Sequence, residues 1–281
     1  DFFLERYVPG LYLHFEMIPD KLPEVLKDRI KAFPAGSLQF EVGIQTWNDD
    51  VANRIQRRLN REKTTENLQF LRRDTGVHIH ADLIAGLPGE DMASFETGFD
   101  AVAALEPQEI QVGILKRLRG TPISMHDNSF AMVYSKSPPY EVMKTGHMTQ
   151  TQLDFIKQFA SLWDRMSNSG YFLCSMPLLV EGPSTFSEFS AWTRWFYPRN
   201  KVSYGHSLTQ LENELFLYLT ESKELNSLTV ATELIADRMR LSRSIPRWLK
   251  ALAPLEHPYT HARPKASMIP KRQARHLMQV L

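Results

Sequence analysis

Cysteine is almost missing from these 281 residues: Cys174 stands alone, which excludes a disulfide within the chain and any zinc or iron site built from several of its own thiolates. Long apolar runs are missing too. No stretch of about 18 hydrophobic residues, the length a membrane-crossing helix needs, occurs anywhere, and the N-terminus lacks the charged, apolar and small-residue sections of a secretory signal. The cytoplasm is therefore the expected location, with no membrane partner. Net charge is small, +1 from 33 Lys and Arg against 32 Asp and Glu. What is present is material for a core: 43% hydrophobic residues, 11% of all residues aromatic, in a chain long enough for one large or two ordinary domains.

The balanced charge hides an asymmetry. Residues 238–281 hold ten Lys and Arg (Arg238, Arg240, Arg243, Arg247, Lys250, Arg263, Lys265, Lys271, Arg272, Arg275) against Glu256 alone. Such a tail is either a solvated terminal surface or a footprint for nucleic acid or an acidic partner.

Residues 11–117 alternate short β-like runs with helical patterns. The strands are "LYLHFEM" (11–17), "SLQFEVGIQ" (37–45), "VHIHADLIAG" (77–86) and "EIQVGILK" (109–116); the helical stretches are 23–33, 49–61, 64–74 and 91–105. Connections that contain a helix imply parallel strands joined by right-handed crossovers. Each strand also splits by face. Leu38, Phe40, Val42 and Ile44 oppose Gln39, Glu41, Gly43 and Gln45, while Val77, Ile79, Ala81 and Leu83 oppose His78, His80 and Asp82. Strands covered on both faces would be apolar on both, so helices on one side only are expected, with the polar face free for function.

The segment 135–140 is Pro-containing and polar and reads as a linker region, so the expected domains are 1–134 and 135–281, the second mainly helical. "TQTQ" offers a capping box at Thr149 and Gln152 ahead of an apolar stripe from Leu153 to Met166, and Ser207 with Gln210 repeats the signal. The aromatic run "EFSAWTRWFYP" (188–198) reads as core rather than as a binding ledge.

Glu16, Gln45, Asp82 and the backbone around Gly86 fall at or near the C-terminal ends of the expected strands, where parallel α/β folds place their sites. Glu41 and His80 sit deeper on the same face. Carboxylates, an amide and a histidine in this arrangement suit a metal, a sugar or a zwitterionic cofactor, and spacing does not choose among them; each residue singly has a structural use, Asp82 as a helix cap or His80 as a satisfied core histidine.

Four motifs resemble the third to sixth strands of the radical S-adenosylmethionine barrel: "HFEMIPD" (14–20), "EVGIQTWND" (41–49), "ADLIAGLPGED" (81–91) and "ILKRLRGTPI" (114–123). Arg57, twelve residues after Gln45, adds to the specificity. Residues 138–172 are similar to the helical domain that follows the barrel in cobalamin-associated members. The resemblance implies an α/β fold: a partial, half barrel of the radical S-adenosylmethionine type followed by a mainly α-helical C-terminal domain. It also implies an enzyme that cleaves S-adenosylmethionine reductively or transfers a methyl group through cobalamin, with its substrate unspecified. Residue by residue, Glu16 and Asp82 match carboxylates near the methionyl amine and the ribose, Gln45 the amide at the sugar, and Arg57 the cation facing the methionyl carboxylate. By the same resemblance Ile84 and Gly86 would flank the adenine.

One departure from the family is large. The Cys-x-x-x-Cys-x-x-Cys loop that holds its four-iron cluster has no counterpart here, and Cys174 cannot replace three thiolates. The chain is expected to be a fragment, inactive alone, whose partner is the missing N-terminal half of the barrel in the same or a separate chain. Alternatives are a methylthiotransferase-like or coproporphyrinogen-oxidase-like member of the same superfamily, or a non-catalytic module that binds nucleic acid or protein through residues 238–281.

Overall fold

The computed structural model describes residues 1–200, 205–253 and 269–277, so Glu256, Arg263 and Lys265 of the basic tail lie outside the described residues. The chain divides into two compact units, Asp1–Ser161 and Leu162–Leu281.

The first unit runs α1 (Phe2–Glu5), β1 (Leu13–Met17), α2 (Glu24–Lys31), β2 (Leu38–Gln45), α3 (Asp49–Arg54), α4 (Arg61–Asp74), β3 (His78–Ala85), α5 (Met92–Ala103) and β4 (Glu109–Ile114). A 3₁₀ turn (Pro122–His126), a short hairpin of β5 (Val133–Tyr134) and β6 (Val142–Lys144), and α6 (Gln150–Trp163) follow. The four long strands form a parallel sheet in the order β1-β2-β3-β4, with β1 and β4 as its edges. Neighbouring strands joined in sequence by right-handed crossovers put their helices on one face. The residues lost from solvent agree: Phe40, Val42, Ile44, Ile79, Ala81 and Leu83 are buried together with Leu68 and Leu71 of α4 and Phe95, Phe99 and Val102 of α5. Burial of this kind contributes about 1.5–3 kcal/mol per large side chain.

Local signals start the helices. Asn48 accepts from the Asp50 and Val51 amides ahead of α3, Asn60 from Lys63 ahead of α4, and Asp91 from Ser94 ahead of α5. The expected helix over 49–61 is broken: α3 stops at Arg54, Gln56 turns to a positive φ of 59°, and Asn60 starts α4. Val51, Ile55 and Leu59 keep the spacing of one helix, but the second capping asparagine restarts the chain in a new direction. Arg57 and Arg58 consequently lie in a loop. Residues 135–161, grouped above with the helical half, lie in the first unit, tied to the end of β4 by bonds from Val142 N to Leu115 O (2.8 Å) and from Arg117 N to Tyr140 O (3.0 Å).

The second unit is helical: a π-turn at Asp164–Asn168, α7 (Met176–Val180), α8 (Thr185–Arg199), α9 (Leu208–Leu217) with a π-turn at Tyr218–Ser222, α10 (Ser227–Arg240), α11 (Arg247–Leu252) and α12 (Lys271–Leu277). Phe186, Phe189, Trp192 and Phe196 line one stripe of α8 and are fully enclosed, with Trp192 stacked on Trp195 at 5.5 Å, so the aromatic run is core. The capping box at Thr149 and Gln152 forms reciprocally, and Ser207 caps α9 through the Gln210 amide. Buried Asp237 accepts from the Cys174 amide (2.7 Å) and from the Ser175 amide and hydroxyl (3.1 and 2.6 Å), which fixes the entry to α7.

The basic tail is largely used inside this unit. Arg238 and Arg243 converge on buried Glu212, Arg240 donates to the carbonyls of Gly170 and Arg275, Arg272 reaches Asp164 and the Asn168 carbonyl, and Arg275 donates to the Ser169 carbonyl. No described helix is long and apolar enough to cross a membrane.

Candidate functional site

The parallel register sorts the polar face of the sheet into rows. Nearest the strand starts are His14, Gln39 and His78; above them Glu16, Glu41, His80 and Glu109; then Gly43, Asp82 and Gln111. The lower rows are closed by internal pairs. Tyr12 donates to Gln39, His14 pairs with Glu41 at 3.1 Å, and His78 lies 2.8 Å from Glu109, both almost fully buried. His80 sits between two carboxylates, 3.5 Å from Glu109 and 3.3 Å from Asp82. Burial alone would lower the pKa of His80, but the adjacent Asp82 carboxylate, with the charges of Glu109 and Glu41, outweighs it and raises the imidazole above its ordinary value.

The upper row opens into a cavity of about 660 Å³ lined by Gln45, Asp82, Ile84, Gln111, Gly113 and Lys157, among others. A second cavity of about 420 Å³ shares Gln45 and Ile84 and adds Arg54, Arg57 and Leu87. Three polar atoms here are buried without a hydrogen-bond partner, Gln45 Oε1, Asp82 Oδ1 and His80 Nε2, the last two facing each other as an ion pair at 3.3 Å without hydrogen-bond alignment. Buried acceptors left in this state are costly unless something else satisfies them. Arg57 leans over the end of β2 and donates to the Gly43 carbonyl at 3.0 Å. A side chain at Gly43 would place its Cβ 2.6 Å from Arg57 Nη2 and 2.7 Å from Gln45 Nε2, so the missing side chain is what lets amide and guanidinium approach the strand.

Gly86 turns the chain out of β3 at φ +85°, with Val142 where a Cβ would be, and Gly89 repeats the positive φ at +84°. Arg54 braces this Gly-Leu-Pro-Gly turn by donating to the Pro88 carbonyl at 2.6 Å while its guanidinium lies 4.6 Å above the Phe130 ring. The structure thus brings Gln45, Asp82 and Ile84 to one cavity and Arg57 to the adjoining one, while Gly86 turns the chain two residues beyond Ile84 against Val142 and Leu153. Glu16 stands apart. It is exposed on edge strand β1, level with His80 rather than with Asp82, in a largely apolar cleft with Phe3, Phe15 and Leu26.

Sequence reasoning passed over four participants. Arg54 reads as one more cation on a basic helix face, Gly43 as a strand filler, and Thr46 as part of a loop. Glu90, inside the quoted turn motif, is 1% exposed, accepts from Thr46 Oγ1 at 2.5 Å, and has its other oxygen buried without a partner. Burial pushes its carboxyl up to about 7, the Thr46 bond opposing and Asp91 reinforcing.

The family model described as "Protein of unknown function (DUF4080)" matches residues 128–274, more than half of the chain. The chain belongs to the DUF4080 family. The family match starts beyond the cavity residues of β2 and β3 but takes in Glu141, Lys157 and Ala160 of the first cavity, together with most of the helical unit. No curated protein matches this DUF4080 chain. Two solved structures are similar in part: coproporphyrinogen III oxidase (HemN) from Escherichia coli, described as a radical SAM enzyme (20% identity, 55% of this chain, TM-score 0.40), and the radical S-adenosylmethionine methyltransferase TsrM from Kitasatospora setae (14% identity, 54% of this chain, TM-score 0.33). The chain spans 32% and 24% of their respective lengths.

Proposed function

We propose that the first unit of this DUF4080 protein binds S-adenosylmethionine at the C-terminal ends of β2 and β3, as part of a radical S-adenosylmethionine enzyme. The observation that carries this reading is the convergence of Gln45, Arg57, Asp82 and Ile84 around two unpartnered buried acceptors, in the order and spacing of the superfamily motifs. The chemistry is complementary. Ribose hydroxyls would satisfy Asp82 Oδ1 and Gln45 Oε1, the Arg57 guanidinium would pair with the methionyl carboxylate, and Ile84 would cover one face of the adenine. Glu16 would meet the methionyl amine only across the width of β2, about 10 Å from Asp82 at ordinary strand spacing, and has the weakest claim of the set.

The four-iron cluster implied by the superfamily does not fit this chain. Its one thiol, Cys174, belongs to the helical unit, and burial together with the Asp237 carboxylate pushes it up to about 12, the reverse of what a metal thiolate needs. Cluster ligands would come from residues other than these. Edge strand β1, exposed along His14, Phe15 and Glu16, offers unpaired backbone groups for a further strand from the remainder of such an enzyme. Substrate and reaction branch, whether methyl transfer, methylthio transfer or an oxidase, belong to that whole enzyme. Three cysteines at cluster spacing in the coding sequence upstream of Asp1 would support the assignment.

The direct test is calorimetric titration of S-adenosylmethionine into the chain and its variants. Arg57→Ala and Asp82→Ala are each expected to weaken binding about ten- to one-hundred-fold, the equivalent of roughly 1.5–3 kcal/mol per charged hydrogen bond, and Gln45→Ala, which loses a neutral bond, about two- to tenfold, with the fold intact by circular dichroism. Arg58→Ala, in the same loop, should cost almost nothing. Equal affinities for the Arg57 and Arg58 variants would reject the residue assignments, and no binding by any form would reject the cofactor.

A further inference from the structure

We infer that Glu90 is a positioning residue of this site: through the Thr46 hydroxyl it holds the strained turn that aims the Gln45 amide into the cavity. The inference rests on the cofactor reading for what Gln45 meets, but its geometric core stands apart from it.

Strand β2 does not end as an ordinary strand. Its pairing with β3 slips between Gly43, opposite Asp82, and Gln45, opposite Leu83, so Ile44 is the extra residue of a bulge. Gln45 then adopts φ +70°, and the Thr46 amide donates back to the Ile44 carbonyl at 2.9 Å. That combination is a γ-turn in its strained, positive-φ form, here on a residue that has a Cβ. Backbone in such a region persists only where its surroundings hold it.

Upstream, β2 is held by its pairing with β3 and by the Arg57 bond to the Gly43 carbonyl; the remaining restraints lie on the downstream side of the turn. Thr46 Oγ1 donates to Glu90 Oε1 at 2.5 Å and accepts from the Asn48 amide at 3.1 Å. The Asn48 side chain donates to Ser94 Oγ at 2.9 Å, and Trp47 packs against Gly98, where a Cβ would come within 3.1 Å of the Trp47 Cβ. Glu90, Ser94 and Gly98 therefore form an anvil from the β3 turn and α5 against which residues 46–48 are pressed. Of these contacts only the Thr46–Glu90 bond is both fully buried and adjacent to Gln45, and with water kept from competing for either partner it is a strong restraint. A buried carboxyl that served only the core would cost stability for little return.

Two readouts on the full chain separate this role from mere stability. Thr46→Val, which removes the donor, and Glu90→Ala, which removes the acceptor, should accelerate hydrogen exchange at the Thr46 amide by roughly tenfold or more and weaken S-adenosylmethionine binding by a comparable factor. Thr46→Ser should restore both, since it keeps the hydroxyl and loses only a methyl group; this rescue is the arm that survives if Glu90→Ala fails to fold. An unchanged Thr46 amide in Thr46→Val overturns the inference, and so does an opened turn with undiminished affinity. Absence of binding in the wild-type chain would instead remove the cofactor reading, leaving the exchange arm to decide whether Glu90 holds Gln45.

Discussion

Replacing Glu90 by Gln is expected to change how stability depends on pH rather than simply to lower it. Burial raises the Glu90 carboxyl from 4.5 to about 7, with the Thr46 bond working against the shift and Asp91 with it. A group raised in the folded state binds its proton there more tightly than in the unfolded chain. Its contribution is fully present below about pH 4.5, declines as pH rises because the unfolded chain ionises first, and is lost once pH passes about 7. The difference of about 2.5 units corresponds to about 3 kcal/mol. Glutamine keeps the acceptor for Thr46 and does not titrate. Whatever constant offset its amide brings, the stability gap between variant and wild type should move by about 3 kcal/mol in the variant's favour between pH 4.5 and 7.5, or about 6–12 °C in Tm for a unit of this size. Urea unfolding of both proteins at pH 4.5, 6 and 7.5, followed by circular dichroism, measures it. A gap that stays constant to within about 0.5 kcal/mol would mean that Glu90 ionises alike in the folded and unfolded chain, and the burial argument would fail.

Gly86→Ala should destabilise the first unit by about 1–2 kcal/mol or more in denaturant titration, because the φ of +85° suits glycine and Val142 Cγ1 stands 2.5 Å from the new methyl; an unchanged midpoint would show that the turn relaxes freely. Trp192→Ala should cost about 3–5 kcal/mol by the same measurement, since the ring is fully enclosed among Trp195, Phe196 and Tyr218, and a loss under about 1 kcal/mol would return the aromatic run to the surface. Amides of 13–17 should exchange with deuterium faster than those of 38–45, as β1 is an edge and β2 is flanked on both sides; equal protection would mean that β1 is covered in solution.

The alternation of apolar and polar residues in each strand made the parallel sheet and its polar face legible, because a period of two has few other physical readings and the intervening helices forbid hairpins. The capping signals at Thr149 and Ser207 were legible for the same reason: they are local. Tertiary choices were not. The Val51, Ile55 and Leu59 spacing gave no hint that Asn60 restarts the chain, so Arg57 was read on a helix that ends at Arg54. Asp82 and Gln45 were found because polar groups at strand ends are unusual, whereas Glu90 was hidden by its resemblance to any solvated residue after a turn. The two ends of "DLIAGLPGED" have different uses: Asp91 caps α5, and Asp82 reaches into the cavity.

The engagement of Arg238, Arg240, Arg243, Arg272 and Arg275 within the helical unit changes what ionic strength should do to this protein. Cations spent on backbone carbonyls and on a buried glutamate cannot also release counterions from a polyanion, so the positive surplus of the sequence overstates the field that the surface projects. Added salt should loosen the grip of α12 on the helix end at residues 168–170, a response internal to the fold, before it weakens any association with an acidic partner.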